Sequence, residues 1–397
     1  MASTVDKYTR VTLTELSGYV RRAVRTAQPV MIWGGPGIGK STIIHDIAKS
    51  YNGAVVELRL GQVGPQDIIG VPYFNRDNQT MKWAPPEALP SAEFAAQYDK
   101  VFLFLDEITS GAPAVQAAAY QLILDRKVGQ YVLPDNVVVI AAGNEATDRG
   151  LTYTMLKPLQ NRFKHYHVKV DYDSWLDWAA SAKIHQDIIA YISWSKEKLY
   201  QFNANDHQES FPTPRSWSRV SSDLADFEKY GGSEKELLDE IASSIGYGYT
   251  TEFLAWRKIG SNLPKPEDVV SGKVTTLEIA DISAHYQLAM SVTIHLRSEW
   301  EEHSTLTGET KTIGKNFDRP VHLRKWNSAK EQAIWEKKLN TWLRFVMDNF
   351  SKELAIATFR IGTANYHLLH ATSLENIPVW SEVAKKFNKY LTFNTED

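Results

Sequence analysis

Gly34-Gly35-Pro36-Gly37-Ile38-Gly39-Lys40-Ser41 is the stretch that decides how the rest of the chain is read. It satisfies G-x-x-x-x-G-K-[ST], the phosphate-binding loop known as Walker A. The apolar run Pro29-Val30-Met31-Ile32-Trp33 leads into it and reads as a buried strand. After it, Ser41-Thr42-Ile43-Ile44-His45-Asp46-Ile47-Ala48 places Ile43, Ile44, Ile47 and Ala48 on one helical face. Strand, loop and helix in this order are the context in which the motif has chemical meaning. Glycines let successive backbone N–H groups curl around an anion, and the helix N-terminus adds partial positive charge. Lys40 is then placed to reach the β- and γ-phosphates of a nucleotide such as ATP, and the Ser41 hydroxyl to ligate Mg²⁺. The candidate binding residues are therefore Gly34, Gly35, Pro36, Gly37, Ile38, Gly39, Lys40, Ser41 and Thr42.

Val101-Phe102-Leu103-Phe104-Leu105-Asp106-Glu107 supplies the second half of the pattern. An apolar strand followed by Asp-Glu is Walker B. Asp106 at the strand's carboxyl end can hold Mg²⁺, so Ser41 and Asp106 form the candidate metal set. Glu107, one residue beyond, can orient and deprotonate an attacking water. A further apolar strand, Val137 to Ala142, ends in Gly143-Asn144. A polar residue at that tip lies between the two Walker motifs in a sheet of this type, so Asn144 is a candidate for positioning the water.

Composition sets the frame. The chain has 397 residues, 43% hydrophobic and 23% charged, with a net charge of −3. That is a globular composition with enough apolar material for a core, and the length prior allows two or three domains. Slight overall acidity gives no global attraction to nucleic acid. With Cys 0, disulfides and thiolate metal sites are excluded. Met1 to Arg10 lacks the apolar core of a signal peptide, and the longest apolar runs are far too short to span a bilayer, so the expectation is a cytoplasmic protein without membrane contact.

Outside the Walker segments, Thr12-Leu13-Thr14-Glu15 has the spacing of a capping box and predicts a helix from Leu13 to about Ala27. Ala54 to Leu60 reads as a strand. Gly61 to Pro90, rich in Gly and Pro, reads as an insertion with a hairpin of Val71–Asn75 and Gln79–Trp83 around Arg76-Asp77-Asn78. Pro113 to Asp125 reads as a helix, and Val128 to Asp135 as a second short hairpin. His165-Tyr166-His167-Val168-Lys169-Val170 reads as the last strand, with His165 and His167 on one face. They are taken as strand residues, since no third metal ligand has suitable spacing. From Asp171 the pattern turns helical, with Trp175, Trp178, Trp194 and Trp217 as core, and with Thr213 capping a helix that begins at Pro214. Glu301 to Arg324 is polar and reads as a loop or linker, and Ser328 to Phe350 as a helix. The modest basic run from Lys311 to Lys325 reads as a solvated surface.

Together these motifs resemble the AAA+ ATPases and, among them, the MoxR family, over roughly residues 10 to 225. In that resemblance Asn144 is the sensor 1 residue. Asn161-Arg162-Phe163 stands where the family carries Asp-Arg-Phe, which makes Arg162 an arginine-finger candidate; Arg149 is a second. Thr213-Pro214-Arg215 stands for the family's Ser-Pro-Arg sensor 2, and Pro65 to Gly70 looks like its insertion after the second strand. Two departures stand out: Asn161 replaces Asp, and residues 301–397 extend past the match. The resemblance implies an α/β P-loop fold, with a three-layer core over 1–170 carrying hairpins near 61–90 and 126–136. A helical lid over 171–300 and a helical C-terminal extension over 301–397 would follow. It also implies a homo-oligomeric ring, usually a hexamer, with ATP between subunits, and a protein client or a von Willebrand A domain partner.

The leading expectation is an ATP-driven remodelling machine whose two hairpins face the pore or the partner. Two others remain open: a nucleic-acid motor of helicase or McrB type, and a nucleotide-gated scaffold with little turnover. The intact Asp106-Glu107 pair speaks against the scaffold, and overall acidity against DNA.

Overall fold

The computed structural model describes residues 9–145, 153, 155–203, 208–259, 263–312, 320–370, 372 and 374–387. The chain divides into two compact units, one on the chain up to Asp171 and one on most of the chain from Tyr172.

The first unit is built on a six-stranded sheet. Strand β1 (Arg10–Val11) precedes helix α1 (Leu13–Arg25), which starts at a capping box between Thr12 and Glu15. Then follow β2 (Val30–Trp33), α2 (Lys40–Ser50) and β3 (Ala54–Arg59). After these come α3 (Gln66–Ile69), β4 (Val71–Asn75), β5 (Thr80–Ala84), α4 (Ala92–Ala95) and β6 (Val101–Asp106). Helix α5 (Pro113–Asp125), the short strands β7 (Lys127–Val128) and β8 (Tyr131–Val132), β9 (Val137–Gly143), α6 (Lys157–Gln160) and β10 (Lys164–Val168) complete it.

The sheet order is β1-β10-β2-β9-β6-β3, and every pairing is parallel. Parallel strands are covered on both faces and read as continuous apolar runs; β9 is buried along its whole length, and β6 up to its terminal Asp106. One face carries Leu103, Leu105, Val137 and Val139 against Val115, Ala119 and Leu122 of α5. On the other, the ring of Phe102 meets Tyr51 at the end of α2, at a centroid distance of 6.2 Å. Helices α1 and α2 bury Leu16, Val20, Ile44 and Ile47. The result is a three-layer α/β/α core. Each such buried side chain contributes about 1.5–3 kcal/mol.

Two hairpins leave this core. Strands β4 and β5 pair antiparallel with Val71 opposite Ala84, and β7 pairs with β8. The β4–β5 ribbon belongs to no larger sheet and carries Val71, Phe74 and Met81 at 57%, 56% and 61% exposure.

The second unit is helical: α7 (Tyr172–Ser181), α8 (Gln186–Trp194), α9 (Pro214–Tyr230), α10 (Glu234–Ile245), α11 (Tyr247–Ile259), α12 (Pro266–Val270) and α13 (Ile282–His303). Tyr191 of α8 is the hub of its core, with Phe253, Trp256 and Trp217 at ring-centroid distances of 5.2, 5.3 and 5.7 Å. Trp194, expected in that core, is 38% exposed and stacks on Trp256 at the core's margin, at a centroid distance of 6.3 Å. Residues expected as a loop between 301 and 324 instead form an antiparallel hairpin, β11 (Ser304–Thr312) with β12 (Pro320–Trp326). Helices α14 (Ala329–Asn349), α15 (Lys352–Phe359), a π-helical turn at Arg360–Asn365 and α16 (Pro378–Phe387) follow. No helix among the described residues is long and apolar enough to cross a membrane.

Candidate functional site

The strand order brings three carboxyl ends side by side. Strand β9 lies between β2, which feeds the Gly34–Gly39 loop, and β6, which ends in Asp106. The backbone carries the pairing past the strands: Gly34 N–H donates to Gly143 O at 3.3 Å, and Ile108 N–H to Ala142 O at 2.9 Å. A ligand crevice at such carboxyl ends is the rule for open parallel sheets.

Helix α2 begins at Lys40 with Gly39 as its N-cap at φ 97°, and Gly37 has φ 73°. Both lie in the left-handed region that favours glycine, and they let the loop curl over the helix N-terminus. Lys40 Nζ donates to Gly34 O at 2.7 Å, to Gly35 O at 2.9 Å and to Asn144 Oδ1 at 3.2 Å. The ammonium thus lies inside the loop, beside the tip of β9. Ser41 Oγ donates to Asp106 Oδ2 at 3.4 Å. A hydroxyl and a carboxylate at that separation offer the hard oxygen donors a magnesium ion takes. The chain's residues fit both a polyphosphate and its cation.

Asp106 Oδ1 also accepts from Glu107 N–H at 2.9 Å. Glu107 has φ 53°, a left-handed backbone that is uncommon for a residue with a side chain and costs of order 1–3 kcal/mol. A Cβ on Gly61 would come within 3.2 Å of Glu107 Oε2, so Gly61 leaves room for this carboxylate. Arg59, opposite Asp106 in the sheet register, is held by Glu57 at 2.8 Å. That bond and charge, with more distant help from Asp106 and Glu107, raise the Arg59 guanidinium above its ordinary pKa.

Arg162 follows α6 and is exposed, with no side-chain partner among the described residues. Its place is informative. Lys164, two residues later, opens β10 opposite Val30, at the start of β2, whereas the loop begins only at Gly34. Four residues of strand separate the two levels, about 13 Å, and Arg162 lies further back still. Arg162 and the loop of its own chain are therefore at opposite edges of the sheet. Arg215 is the second residue of α9, exposed, in a helix that opens with Thr213 as N-cap and Pro214 in its first turn. It belongs to the second unit. Arg149 lies outside the described residues.

Three residues that the sequence marked only as strand residues, Trp33, His165 and His167, pack together beside this edge. Trp33, the last residue of β2, stacks on His165 and His167 at centroid distances of 6.0 and 5.8 Å. Its indole N–H donates to His165 Nδ1 at 2.9 Å, so His165 carries its proton on Nε2 and donates to Gln160 O at 2.7 Å. His167 Nδ1–H donates instead to Glu145 Oε1 at 2.9 Å. The alternation of β10 was legible; the partners depend on strand order. Elsewhere, His185, Asp187 and Glu228 bring ligand atoms within 4.8 Å of one another. Arg257 bonds both carboxylates, Asp187 at 2.6 Å and Glu228 at 2.5 Å, so their oxygens are already engaged in an ion-pair network.

The phosphate loop, the adjacent Asp106-Glu107 and the intervening strand tipped by Asn144 define a P-loop nucleotide-binding domain of the additional-strand kind. Residues 29–163 match the family model described as AAA domain (dynein-related subfamily), and the chain accordingly carries an AAA+ ATPase domain. No curated protein matches the sequence. Among solved structures, the chain is similar to a proposed ATPase from Cytophaga hutchinsonii, at 12% identity over 97% of this chain and 91% of that one, with TM-score 0.34. It is similar to NtrX from Brucella abortus at 16% identity, 61% and 67% coverage and TM-score 0.30. A RuvB mutant from Thermotoga maritima gives 16% identity, 66% and 78% coverage and TM-score 0.36. At this level of likeness none of the three assigns a role to a residue here.

Proposed function

We infer that this protein is a Mg²⁺-dependent, MoxR-like ATPase that works as a homo-oligomeric ring, of the hexameric kind, to remodel a protein client. The observation that carries the reading is the convergence of Lys40, Ser41, Asp106 and Asn144 at neighbouring strand ends. Lys40 and the loop N–H groups hold the β- and γ-phosphates of ATP. Ser41 and Asp106 would hold the magnesium ion, which would supply charge neutralisation at the phosphates. Glu107 takes the proton of the attacking water, and Asn144 orients that water.

Arg162 acts on the site of a neighbouring subunit, since it is exposed and lies at the sheet edge remote from its own loop. Arg215 would contact nucleotide from a helical lid spanning 171–300, and the segment 301–397 follows it as a C-terminal extension that carries the β11–β12 hairpin ahead of its helices. Together these residues complete a site that one chain begins.

The client side of the reading rests on the β4–β5 ribbon. A two-stranded ribbon outside any larger sheet is marginal on its own, and contiguous exposed apolar residues mark interaction surfaces. Val71, Tyr73, Phe74 and Met81 are exposed on it, and Val132 is exposed on the second hairpin. A protein partner, with a von Willebrand A domain protein as one candidate, would meet this surface.

Steady-state ATP hydrolysis by the purified chain, with and without Mg²⁺, tests the proposal. Turnover that is lost in Glu107→Gln while nucleotide binding persists supports it. Turnover stimulated by DNA and falling steeply with salt would point to a nucleic-acid motor instead.

A further inference from the structure

We propose that His167 and Glu145 form a positioning pair that sets Asn144, and with it the attacking water, against the phosphate loop. The inference rests on the reading of Asn144 as the water-orienting residue.

Asn144 lies one residue past the end of β9, so no ladder hydrogen bond of the sheet fixes it. Its side chain is held on one flank by Lys40. The next residue, Glu145, reaches back across the mouth of β2 to His167 on β10, two strands away in the sheet order. Between them stands Trp33, whose indole lies against the His167 ring at an interplanar angle of 12°. Trp33 is bonded directly to Gly34, the first residue of the loop. A single imidazole thus meets both halves of the site: the loop through its stacking on Trp33, and the β9 tip through Glu145.

The ring is itself well fixed. His167 is 7% exposed, and its backbone N–H donates to Thr9 O at 2.9 Å. Trp33 is held in turn by its bond to His165. A pair of this kind does no chemistry, since neither group lies at the phosphate site. What it controls is the distance and direction of Asn144 relative to Lys40. Misplacement of a positioning group by about 1 Å can cost two orders of magnitude in rate without loss of binding.

The test is steady-state ATPase kinetics on the full chain. His167→Ala and Glu145→Ala are expected to lower kcat about tenfold or more, with KM for ATP within about twofold of wild type. His167→Asn, whose amide N–H can replace Nδ1–H, should recover most of kcat. The double variant should be no slower than the slower single, because two residues of one pair do not add. Additive losses, equal loss in KM and kcat, or unchanged kcat in His167→Ala would overturn the pair. Asn144→Ala separates the two layers. Unchanged kcat in that variant removes the underlying reading of Asn144, whereas a loss there without one in His167→Ala removes only the positioning inference.

Discussion

Lys40 and Asn144 are 104 residues apart in sequence, and Lys40 Nζ donates to Asn144 Oδ1 at 3.2 Å. The contact exists because β9 inserts between β2 and β6, and it fixes where chemistry on a bound triphosphate would occur. The ammonium and the amide converge on one point, from the helix side and from the strand side.

Lys40 is the first residue to test. Lys40→Ala should weaken ATP binding about tenfold or more, since it removes a charge-assisted donor to the phosphates. Equilibrium titration with a fluorescent ATP analogue measures it. Chelating divalent cations should abolish turnover in the wild type while leaving residual nucleotide binding.

Glu107 answers a different question. Glu107→Gln keeps the shape of the side chain and removes only the proposed base. Turnover should fall by about 10² to 10⁴, with ATP binding retained, as single-turnover and binding measurements on the same sample would record.

Hairpin residues should matter for a partner and not for folding. Phe74→Ser with Met81→Ser replaces two side chains that are 56% and 61% exposed. The thermal midpoint should stay within a degree or two, because little buried area is lost, while client capture from host extract falls away. A large drop in the midpoint would place these side chains in a packed core.

Acid should destabilise the second unit through His367. Burial, with His370 and Arg297 nearby, pushes its pKa down from 6.5 to about 4. The unfolded chain therefore binds a proton that the folded chain refuses between those two values. Stability is complete above about pH 6.5 and is lost as pH falls toward 4, by at most about 3 kcal/mol from this group. Denaturant midpoints measured across that range should slope for the wild type and flatten for His367→Asn.

How much of this was legible in the sequence depends on distance along the chain. The buried parallel strands β2, β6 and β9 were readable because burial on both faces leaves continuous apolar runs. Lys40, Ser41, Asp106 and Glu107 were readable because each sits in a local motif. The β11–β12 hairpin was not: Ser304–Thr312 is rich in Thr and charge, with no apolar alternation to mark a strand. Nor was the Glu145–His167 bond, which joins residues 22 apart through the strand order β10-β2-β9. Spacing alone does not encode which strands become neighbours. The remoteness of Arg162 from its own loop follows from register in the same way.

The proposed sharing of one hydrolytic site between Glu107 of one chain and Arg162 of the next can be tested by mixing inactive variants. Glu107→Gln lacks the base, and Arg162→Ala lacks the finger; each alone should lose turnover, by about 10³ or more for the arginine. Mixed in equal amounts under conditions of subunit exchange, some interfaces would join an intact Glu107 from one chain to an intact Arg162 from its neighbour. With a shared site, ATPase activity should reappear in the mixture above the sum of its parts. No recovery, with exchange verified by differently tagged subunits, would contradict it.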